Sequence, residues 1–258
     1  MYADVVPLLR LPNELGAFTY RVPDVMVADI ARCGIFARVP FRGRKIWGVI
    51  FRLSETSGST PPSRIREIIE IRGDAALTDQ ELRSMEQISV LFRHSIATTA
   101  RMILPQIPTR LHIQKIAPFS GKSPTPNGSH PAWTSRALKH KGDTIVIPHS
   151  HTQRLDAIRD LAARVVRDGK TVLIITPHRS WLGKIQEALT PTIPTVIFDL
   201  SLATGAAWRA FIATRQVPIA IVGTRAAAFL APPDIGAIII DEAHDDDLKS
   251  WDASPRYD

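Results

Sequence analysis

The strongest chemical signal in the sequence is a pair of carboxylates that directly follows a run of isoleucines. Ala237–Ile240 predicts a buried strand, and Asp241, Glu242 and His244 come immediately after it. Ligands of parallel sheets bind beyond the carboxyl ends of the strands. Asp241 is placed to hold a Mg²⁺ ion through water, and Glu242 to activate the water that attacks the γ-phosphate of ATP. His244 would link this nucleotide site to a nucleic-acid surface, and an acidic helix cap is the structural alternative.

The partner of such a motif should be a glycine-rich loop that ends in Gly-Lys-Ser or Gly-Lys-Thr after the first strand. Gly169-Lys170-Thr171 precedes a strand instead of following one. Gly121-Lys122-Ser123 lacks the earlier glycine and is followed by proline. The turn after the first predicted strand is Pro148–Leu155, which has no glycine and begins with a residue that lacks an N–H. Its remaining groups with reach to a phosphate are Ser150, Thr152 and Arg154.

The acidic motif belongs to a region of alternating strand and helix patterns. The predicted strands are Thr144–Ile147, Thr171–Thr176, Thr195–Phe198, Ile219–Val222 and Ala237–Ile240. The predicted helices between them are Arg154–Arg167, Trp181–Leu189 and Ala206–Ala213. Short apolar strands that alternate with amphipathic helices indicate an α/β fold with a parallel sheet covered on both faces.

The amino-terminal part is β-rich, with apolar runs at residues 4–9, 36–41 and 46–51. A turn that carries Arg42, Arg44 and Lys45 separates the last two runs. Such a turn is suited to contacting phosphates. A turn whose charges simply face solvent explains the pattern equally well. Thr78-Asp-Gln-Glu81 is a capping box that opens one helix, and a second helix is predicted near Thr98–Leu104. Residues 106–142 are rich in proline and have no periodicity, which predicts a linker.

The amino-acid composition limits the classes of partner that the protein could bind. The net charge of +7 favours polyanions, with nucleic acid ahead of anionic membrane. Cys33 is the single cysteine, so neither a disulfide nor a cysteine-rich zinc site can be built within these residues. No segment reaches the ~18 uncharged apolar residues that span a bilayer. We therefore expect a cytoplasmic protein without membrane contact.

Taken in order, the motifs resemble the PriA family of replication-restart primosomal helicases. Val222–Asp245 contains Gly-Thr-Arg followed by Asp-Glu-Ala-His, which is similar to the family's Gly-Thr-Arg-Ser-Ala-Leu-Phe and Asp-Glu-Glu-His. Phe18–Pro23 resembles its Phe-Asp-Tyr-x-Val-Pro, and Gly34–Phe41 with Gly48–Ile50 resembles its Gly-x-x-Val-x-Val-Pro-Phe and Gly-Val-Val. The resemblance covers nearly the whole chain.

The resemblance implies a domain organisation and a DNA site. Residues 1–105 would be a domain that binds the 3′ end of the nascent leading strand at a stalled fork. Residues 143–258 would be part of a RecA-like helicase lobe, truncated after the acidic box. The terminal-nucleotide pocket would consist of Phe18, Tyr20, Gly34 and Arg66, with Thr19 in place of the family's carboxylate. Contacts to the DNA backbone are expected from Arg38, Arg42, Arg44, Lys45, Thr224 and Arg225.

The sequence also departs from the family. Aligned without a gap, the phosphate loop falls on Pro148–Leu155, with Arg154 at its lysine and Leu155 at its magnesium-binding hydroxyl. Loss of the amide cradle should lower turnover by orders of magnitude. Residues 106–142 are too few for the family's winged helix. The second motor lobe and the zinc module of the family would lie downstream, so we expect this chain to be an amino-terminal fragment.

Three functions follow as hypotheses. The first is a DNA-binding replication-restart protein that recognises arrested 3′ ends without helicase or ATPase activity. Its partners would be forked or single-stranded DNA, other primosome proteins and single-strand-binding proteins, at the nucleoid. The second is an active ATP-dependent 3′-to-5′ helicase with an unorthodox loop, which would use Mg²⁺ at Asp241. The third is a regulator that binds ATP without hydrolysing it.

Overall fold

The computed structural model describes residues 1–108 and 144–249, apart from Ala31, Ser59, Asp74, His149, Ala231 and Pro233. These residues form two compact units, one on each side of the gap. Most of the predicted linker at residues 106–142 lies outside the described residues.

The first unit is built on a five-stranded antiparallel sheet. Its strands are β1 (Tyr2–Pro7), β2 (Phe18–Arg21), β3 (Phe36–Phe41), β4 (Arg44–Ser54) and β5 (Glu70–Arg72), in the order β2-β1-β4-β3-β5. The turn between β3 and β4 has positive φ at both central residues, Arg42 at 45° and Gly43 at 77°. Two such residues give the turn that matches the right-handed twist of a hairpin, so the predicted basic turn is a tight hairpin tip.

Hydrogen bonds around Arg21 join the two edges of this sheet. The Arg21 N–H donates to the carbonyl of Arg66, and the Ile68 N–H donates to the carbonyl of Arg21. The next residue, Ile69, donates its N–H to the carbonyl of Arg38 on β3. The sheet therefore curls on itself, and β2 comes close to β3 although they are not neighbours in the strand order.

Two helices follow the sheet, α1 (Asp79–Leu91) and α2 (Ile96–Ile103). The predicted capping box is confirmed, because the Thr78 hydroxyl accepts the Glu81 N–H and the Glu81 carboxylate accepts the Thr78 N–H. Ser95 caps α2 by accepting the Thr98 N–H. Side chains that cap a first turn satisfy backbone donors that have no partner within the helix.

The second unit is an α/β layer. Its elements are α3 (His151–Arg167), β6 (Thr171–Ile175), α4 (Arg179–Leu189), β7 (Thr195–Phe198), α5 (Thr204–Ala213), β8 (Ala220–Gly223) and β9 (Ile235–Ile240). The four strands are parallel and lie in the order β7-β8-β6-β9. The predicted α/β class and parallel sheet are therefore confirmed. Val172, Ile174 and Val222 of the strands pack with the apolar faces of α3 and α4 in one core.

Two sequence predictions in this unit are wrong. Thr144–Ile147 was expected to be a buried strand, yet these residues form no strand and Ile145 is 89% exposed. A short apolar run becomes a strand only if the edge of a neighbouring strand accepts its hydrogen bonds, and the sequence alone does not show whether it does. The box strand β9 is not fully buried either, because Ile238 and Ile240 are 56% and 52% exposed. Among the described residues β9 pairs only with β6, which makes it an edge strand.

No helix within the described ranges is both long and apolar enough to cross a membrane.

Candidate nucleic-acid interface and acidic centre

Two aromatic side chains of β2 meet the end of β3, where the basic hairpin begins. The rings of Phe18 and Phe41 contact edge to face, with centroids 5.0 Å apart. The Tyr20 hydroxyl donates a hydrogen bond of 3.1 Å to the Pro40 carbonyl. The guanidinium of Arg42 lies 5.6 Å from the centroid of the Phe41 ring. The structure thus links the predicted pocket aromatics to the predicted phosphate-binding turn through Phe41, which the sequence analysis did not single out.

Arg66 supplies positive charge beside the same aromatics. Burial raises the pKa of Tyr20, and the nearby charge of Arg66 partly offsets that rise. The Arg66 side chain is exposed. Its backbone carbonyl accepts the Arg21 N–H where the two edges of the sheet meet. Tyr20 is 6% exposed and Phe18 is half-buried, so Phe18 is the more accessible ring of the two.

Thr19, the residue that departs from the family pattern, contacts a carboxylate on the neighbouring strand. Its hydroxyl donates to Oδ1 of Asp4 at 2.8 Å, because Thr19 and Asp4 lie opposite each other in the β1–β2 ladder. A carboxylate therefore lies beside position 19, although it comes from another strand.

Gly34 has a backbone reason to be glycine. Its φ is +90°, and a Cβ there would lie 2.2 Å from the carbonyl oxygen of Leu77. Its N–H donates to Ile50, and its carbonyl accepts the Leu77 N–H. Only glycine fits this backbone crossing without strain, and a role for Gly34 in the pocket stays a prediction.

The predicted backbone-contact residues of the first unit differ in accessibility. Arg42, Arg44 and Lys45 are exposed at the hairpin tip. Arg38 is half-buried on β3, and its Nη1 lies 3.4 Å from Oε2 of Glu70. The tip therefore presents three positive charges to solvent, whereas Arg38 faces a carboxylate.

The acidic motif lies where the sequence predicted it, at the carboxyl end of β9. Asp241 donates its N–H to the Ile175 carbonyl at 2.8 Å, and its side chain is buried. Burial raises the pKa of Asp241; Arg154 opposes that rise and Glu242 adds to it. Glu242 has a φ of 50°, an uncommon conformation for a residue with a side chain. His244 is exposed.

Arg154 is paired with both carboxylates of the motif. Its Nη1 lies 2.5 Å from Oε1 of Glu242, and its Nε lies 3.5 Å from Oδ1 of Asp241. Its guanidinium also lies 4.3 Å from the centroid of the Trp181 ring, and the Trp181 ring stacks on His151. Only 11% of the Arg154 side chain is exposed. The guanidinium is therefore fixed on one side by the two carboxylates and on another by an aromatic face.

The other residues of the predicted phosphate region belong to the start of α3. Ser150 is the N-cap residue, and its hydroxyl accepts the Gln153 N–H at 3.2 Å. Thr152 is exposed in the first turn, and Leu155 packs against the apolar core. An amide of the helix start is thus already hydrogen-bonded to a side chain within the chain.

Thr224 and Arg225, the predicted DNA contacts of the second unit, follow β8. Thr224 is 8% exposed. Arg225 donates through Nη1 to the carbonyls of Asp247 and Lys249, at 3.3 and 2.9 Å. These bonds tie the segment after the acidic motif to β8, and contact with DNA stays a prediction for both residues.

Sequence reasoning missed Trp181 and His178, which both belong to the segment after β6. Trp181 lies in the first turn of α4 and His178 is its N-cap residue. His178 contacts Asp245 and Asp247, which the pairing of β6 with β9 brings close to it. Trp181 instead contacts His151 and Arg154 of α3. The available signal was positional, since parallel neighbours present their carboxyl ends at one edge.

Comparison with known proteins addresses the first unit directly. Residues 8–105 match the model of the 3′ DNA-binding domain of PriA. Residues 8–105 are therefore similar to a PriA-type 3′ DNA-binding domain. The matched range includes the basic hairpin and residues 66–69, whose hydrogen bonds join the two edges of the sheet. It also includes the predicted pocket residues Phe18, Tyr20, Gly34 and Arg66.

The similarity to PriA extends along almost the whole chain. The replication restart protein PriA of Rickettsia felis is 20% identical over 258 residues, which cover 96% of this chain. The probable replication restart protein PriA of Mycobacterium tuberculosis is 23% identical over 265 residues, with the same coverage. The alignments cover 38% and 39% of these relatives, so the chain spans about two fifths of their length. The chain is thus similar to the amino-terminal region of PriA.

Proposed function

We propose that this chain is a DNA-binding protein of replication restart that holds arrested 3′ ends. The observation that carries the proposal is the match of residues 8–105 to the PriA 3′ DNA-binding domain. The aromatic pair Phe18 and Phe41 beside an exposed basic hairpin supports it physically. Bases stack on aromatic rings, while Lys and Arg neutralise the phosphates.

Each of the described groups would have a separate role in binding the end of the strand. Phe18, the more accessible ring, would stack on the terminal base, and Arg66 would supply positive charge beside it. Arg42, Arg44 and Lys45 would contact the backbone of the same strand. Asp4, held by Thr19, would accept a hydrogen bond from a terminal hydroxyl. A carboxylate accepts from a hydroxyl and repels a phosphate, so this group would favour a free 3′-hydroxyl end.

We further propose that the second unit, described over residues 144–249, is a RecA-like lobe without ATP turnover. Bound ATP needs amide donors for its phosphates and carboxylates that are free for Mg²⁺ and for water. Here the Gln153 amide is taken by Ser150, and Arg154 pairs with both Asp241 and Glu242. These residues fit an internal ion-pair cluster better than they fit Mg²⁺ and a triphosphate.

An active motor is the competing function, and the position of Asp241 and Glu242 at a carboxyl strand end favours it. ATP hydrolysis by the 258-residue chain, measured in one sample with single-stranded DNA and in one without it, separates the two. We expect no turnover above that of Glu242→Gln in either sample. Turnover that DNA stimulates and Glu242→Gln abolishes would establish the motor instead.

Recognition of ends is tested by competition. The chain is first bound to a labelled linear single strand, then challenged with unlabelled strands of equal length and sequence. A linear strand should displace the label, and a covalently closed circle, which has no 3′ end, should displace it much less. Equal competition by the circle would reduce the function to general single-strand binding.

Primosome and single-strand-binding partners are part of the proposal, and pull-down of purified candidates with the chain tests them.

A further inference from the structure

A second cluster of polar side chains lies beside the acidic motif, at the carboxyl ends of β6 and β9. It consists of His178, Asp245 and Asp247, and one ligand atom from each lies within 4.8 Å of the others. His178 follows β6 and the two aspartates follow β9, so adjacent parallel strands bring them together. The proposed DNA and ATP chemistry uses none of the three.

Both nitrogens of the His178 ring face carboxylates. Nε2 lies 3.1 Å from Oδ2 of Asp245, and Nδ1 lies 3.3 Å from Oδ2 of Asp247. Oε2 of Glu242 lies 3.9 Å from the same Nε2. A neutral imidazole has one N–H and one lone pair, so it donates to only one of its two neighbours. In this neutral form the lone pair of the other nitrogen faces a carboxylate, and a metal cation between the two would relieve that repulsion.

The neighbouring acidic residues have other cationic partners. Asp246 pairs with Lys249 at 3.1 Å, and Glu242 pairs with Arg154. Within the described ranges, the ion-pair partner of both Asp245 and Asp247 is the His178 ring. Among the described residues, negative charge around Nε2 therefore exceeds the positive charge.

We propose that His178 and Asp245 bind a divalent transition-metal cation, of the Zn²⁺ or Co²⁺ class, on the Nε2 side of the ring. Ligand bonds of about 2.1 Å at tetrahedral angles place two ligand atoms about 3.4 Å apart, close to the observed Nε2–Oδ2 distance. Oε2 of Glu242 offers a third ligand on the same side. Imidazole with carboxylate is a donor set that suits Zn²⁺ and related ions.

Asp247 has a separate role in this site. Its Oδ2 lies 3.3 Å from Nδ1 of His178, where it would favour the tautomer whose Nε2 lone pair faces the metal. Asp245 is also held in place, because its Oδ1 accepts the Asp247 N–H at 2.8 Å while Oδ2 faces the ring. The cation would join the start of α4 to the segment after β9.

Titration of the 258-residue chain with Co²⁺ tests the proposal, with visible d–d absorption and calorimetry as readouts. We expect one site whose affinity falls at least about 100-fold in His178→Ala and Asp245→Asn, and about 10- to 100-fold in Asp247→Asn. Asp246→Asn is the matched control, since it removes the same charge from the same segment and should leave the affinity unchanged.

Two results would overturn the site. Wild-type chain that gives no d–d band and no binding heat would mean that the His178 ring contacts both aspartates without a metal ion. Equal losses in Asp246→Asn and Asp245→Asn would mean diffuse attraction of cations. Far-UV circular dichroism checks the folding of each variant; if His178→Ala is unfolded, the comparison of Asp245→Asn with Asp246→Asn decides.

Discussion

The Nη1 atom of Arg154 lies 2.5 Å from Oε1 of Glu242, so the residue that aligns with the phosphate-loop lysine contacts the residue that would activate water. The same guanidinium reaches the buried Asp241 and lies over Trp181. Two charges that a motor would use on ATP and Mg²⁺ are thus neutralised within the chain. The acidic motif here is the anionic half of an ion-pair cluster.

Removal of Arg154 should destabilise the second unit. Arg154→Met leaves Asp241 buried and unpaired, which should cost about 3 kcal/mol in the free energy of unfolding. Urea unfolding at pH 7 measures it. Arg159→Met on the same helix is the control, because its pairs with Asp156 and Asp160 are partly exposed and should contribute less than about 1 kcal/mol. Equal effects of the two changes would contradict the cluster.

The cost of losing Arg154 should depend on pH. The pKa of Asp241 is already raised in the folded chain, and without Arg154 it should rise further. A raised pKa in the folded state means that this group's contribution to stability is present at low pH and lost as pH rises through that pKa. The difference in unfolding free energy between wild type and Arg154→Met should therefore be largest near pH 7 and should shrink as pH is lowered. A difference that is constant or grows toward acid pH would show that Arg154 acts by packing alone.

The secondary structure of both units was largely readable from the sequence. The capping box at Thr78 and the alternation of strands and helices after Thr171 reflect local preferences and periodic burial, which a sequence records directly. The basic hairpin was also predicted, because Gly43 beside Arg42 accepts the positive φ that a tight turn needs. The acidic motif was also correctly placed at the end of a strand, because its carboxylates directly follow an apolar run.

What the sequence did not show depends on contacts between distant segments. Thr144–Ile147 has the composition of a strand but pairs with no strand among the described residues, and composition cannot reveal that. Arg154 was expected at most to touch a phosphate, and nothing local indicates its contacts with Trp181 and Glu242. Phe41 and His178 were missed because their neighbours are set by the closure of the first sheet and by the pairing of β6 with β9.

Gly34 should tolerate no side chain. Gly34→Ala places a Cβ against the Leu77 carbonyl at positive φ, and we expect a loss of about 3 kcal/mol or more in the free energy of unfolding. Gly43→Ala also has positive φ, but nothing lies within 4 Å of its added Cβ, so it should cost only about 1 kcal/mol. Thermal unfolding of the two variants measures the contrast, and equal losses would exclude the backbone contact as the cause.

The Tyr20 hydroxyl should contribute to stability at neutral pH. Tyr20→Phe removes the hydrogen bond to Pro40 and should lower the free energy of unfolding by about 1 kcal/mol. Because the pKa of Tyr20 is raised in the folded chain, its stabilising contribution is full below the ordinary tyrosine value and is lost as pH rises through the raised one. The advantage of wild type over Tyr20→Phe should shrink above pH ~10 in chemical unfolding. An advantage that persists there would contradict the burial of the phenol.

The basic hairpin should set the salt dependence of DNA binding. Replacement of Arg42, Arg44 and Lys45 by Gln should weaken binding similarly for all sequences and reduce the slope of log K against log salt by about 2 to 3. Fluorescence anisotropy between low and physiological salt gives the slope. Neutralisation of Arg64, Arg72 and Arg83 removes the same number of charges elsewhere in the unit, and a matching loss of slope there would mean that the hairpin has no special role.

We propose that the first unit holds a free 3′ end, and the chemistry of that end offers a direct test. The 258-residue chain is titrated with a fork whose nascent strand ends in a 3′-hydroxyl and with the same fork ending in a 3′-phosphate. We predict tighter binding of the hydroxyl end, and a loss of that preference in Phe18→Ala together with about 5- to 150-fold weaker binding. The control variant Phe51→Ala should keep the preference. Equal affinity of wild type for the two forks would contradict the account.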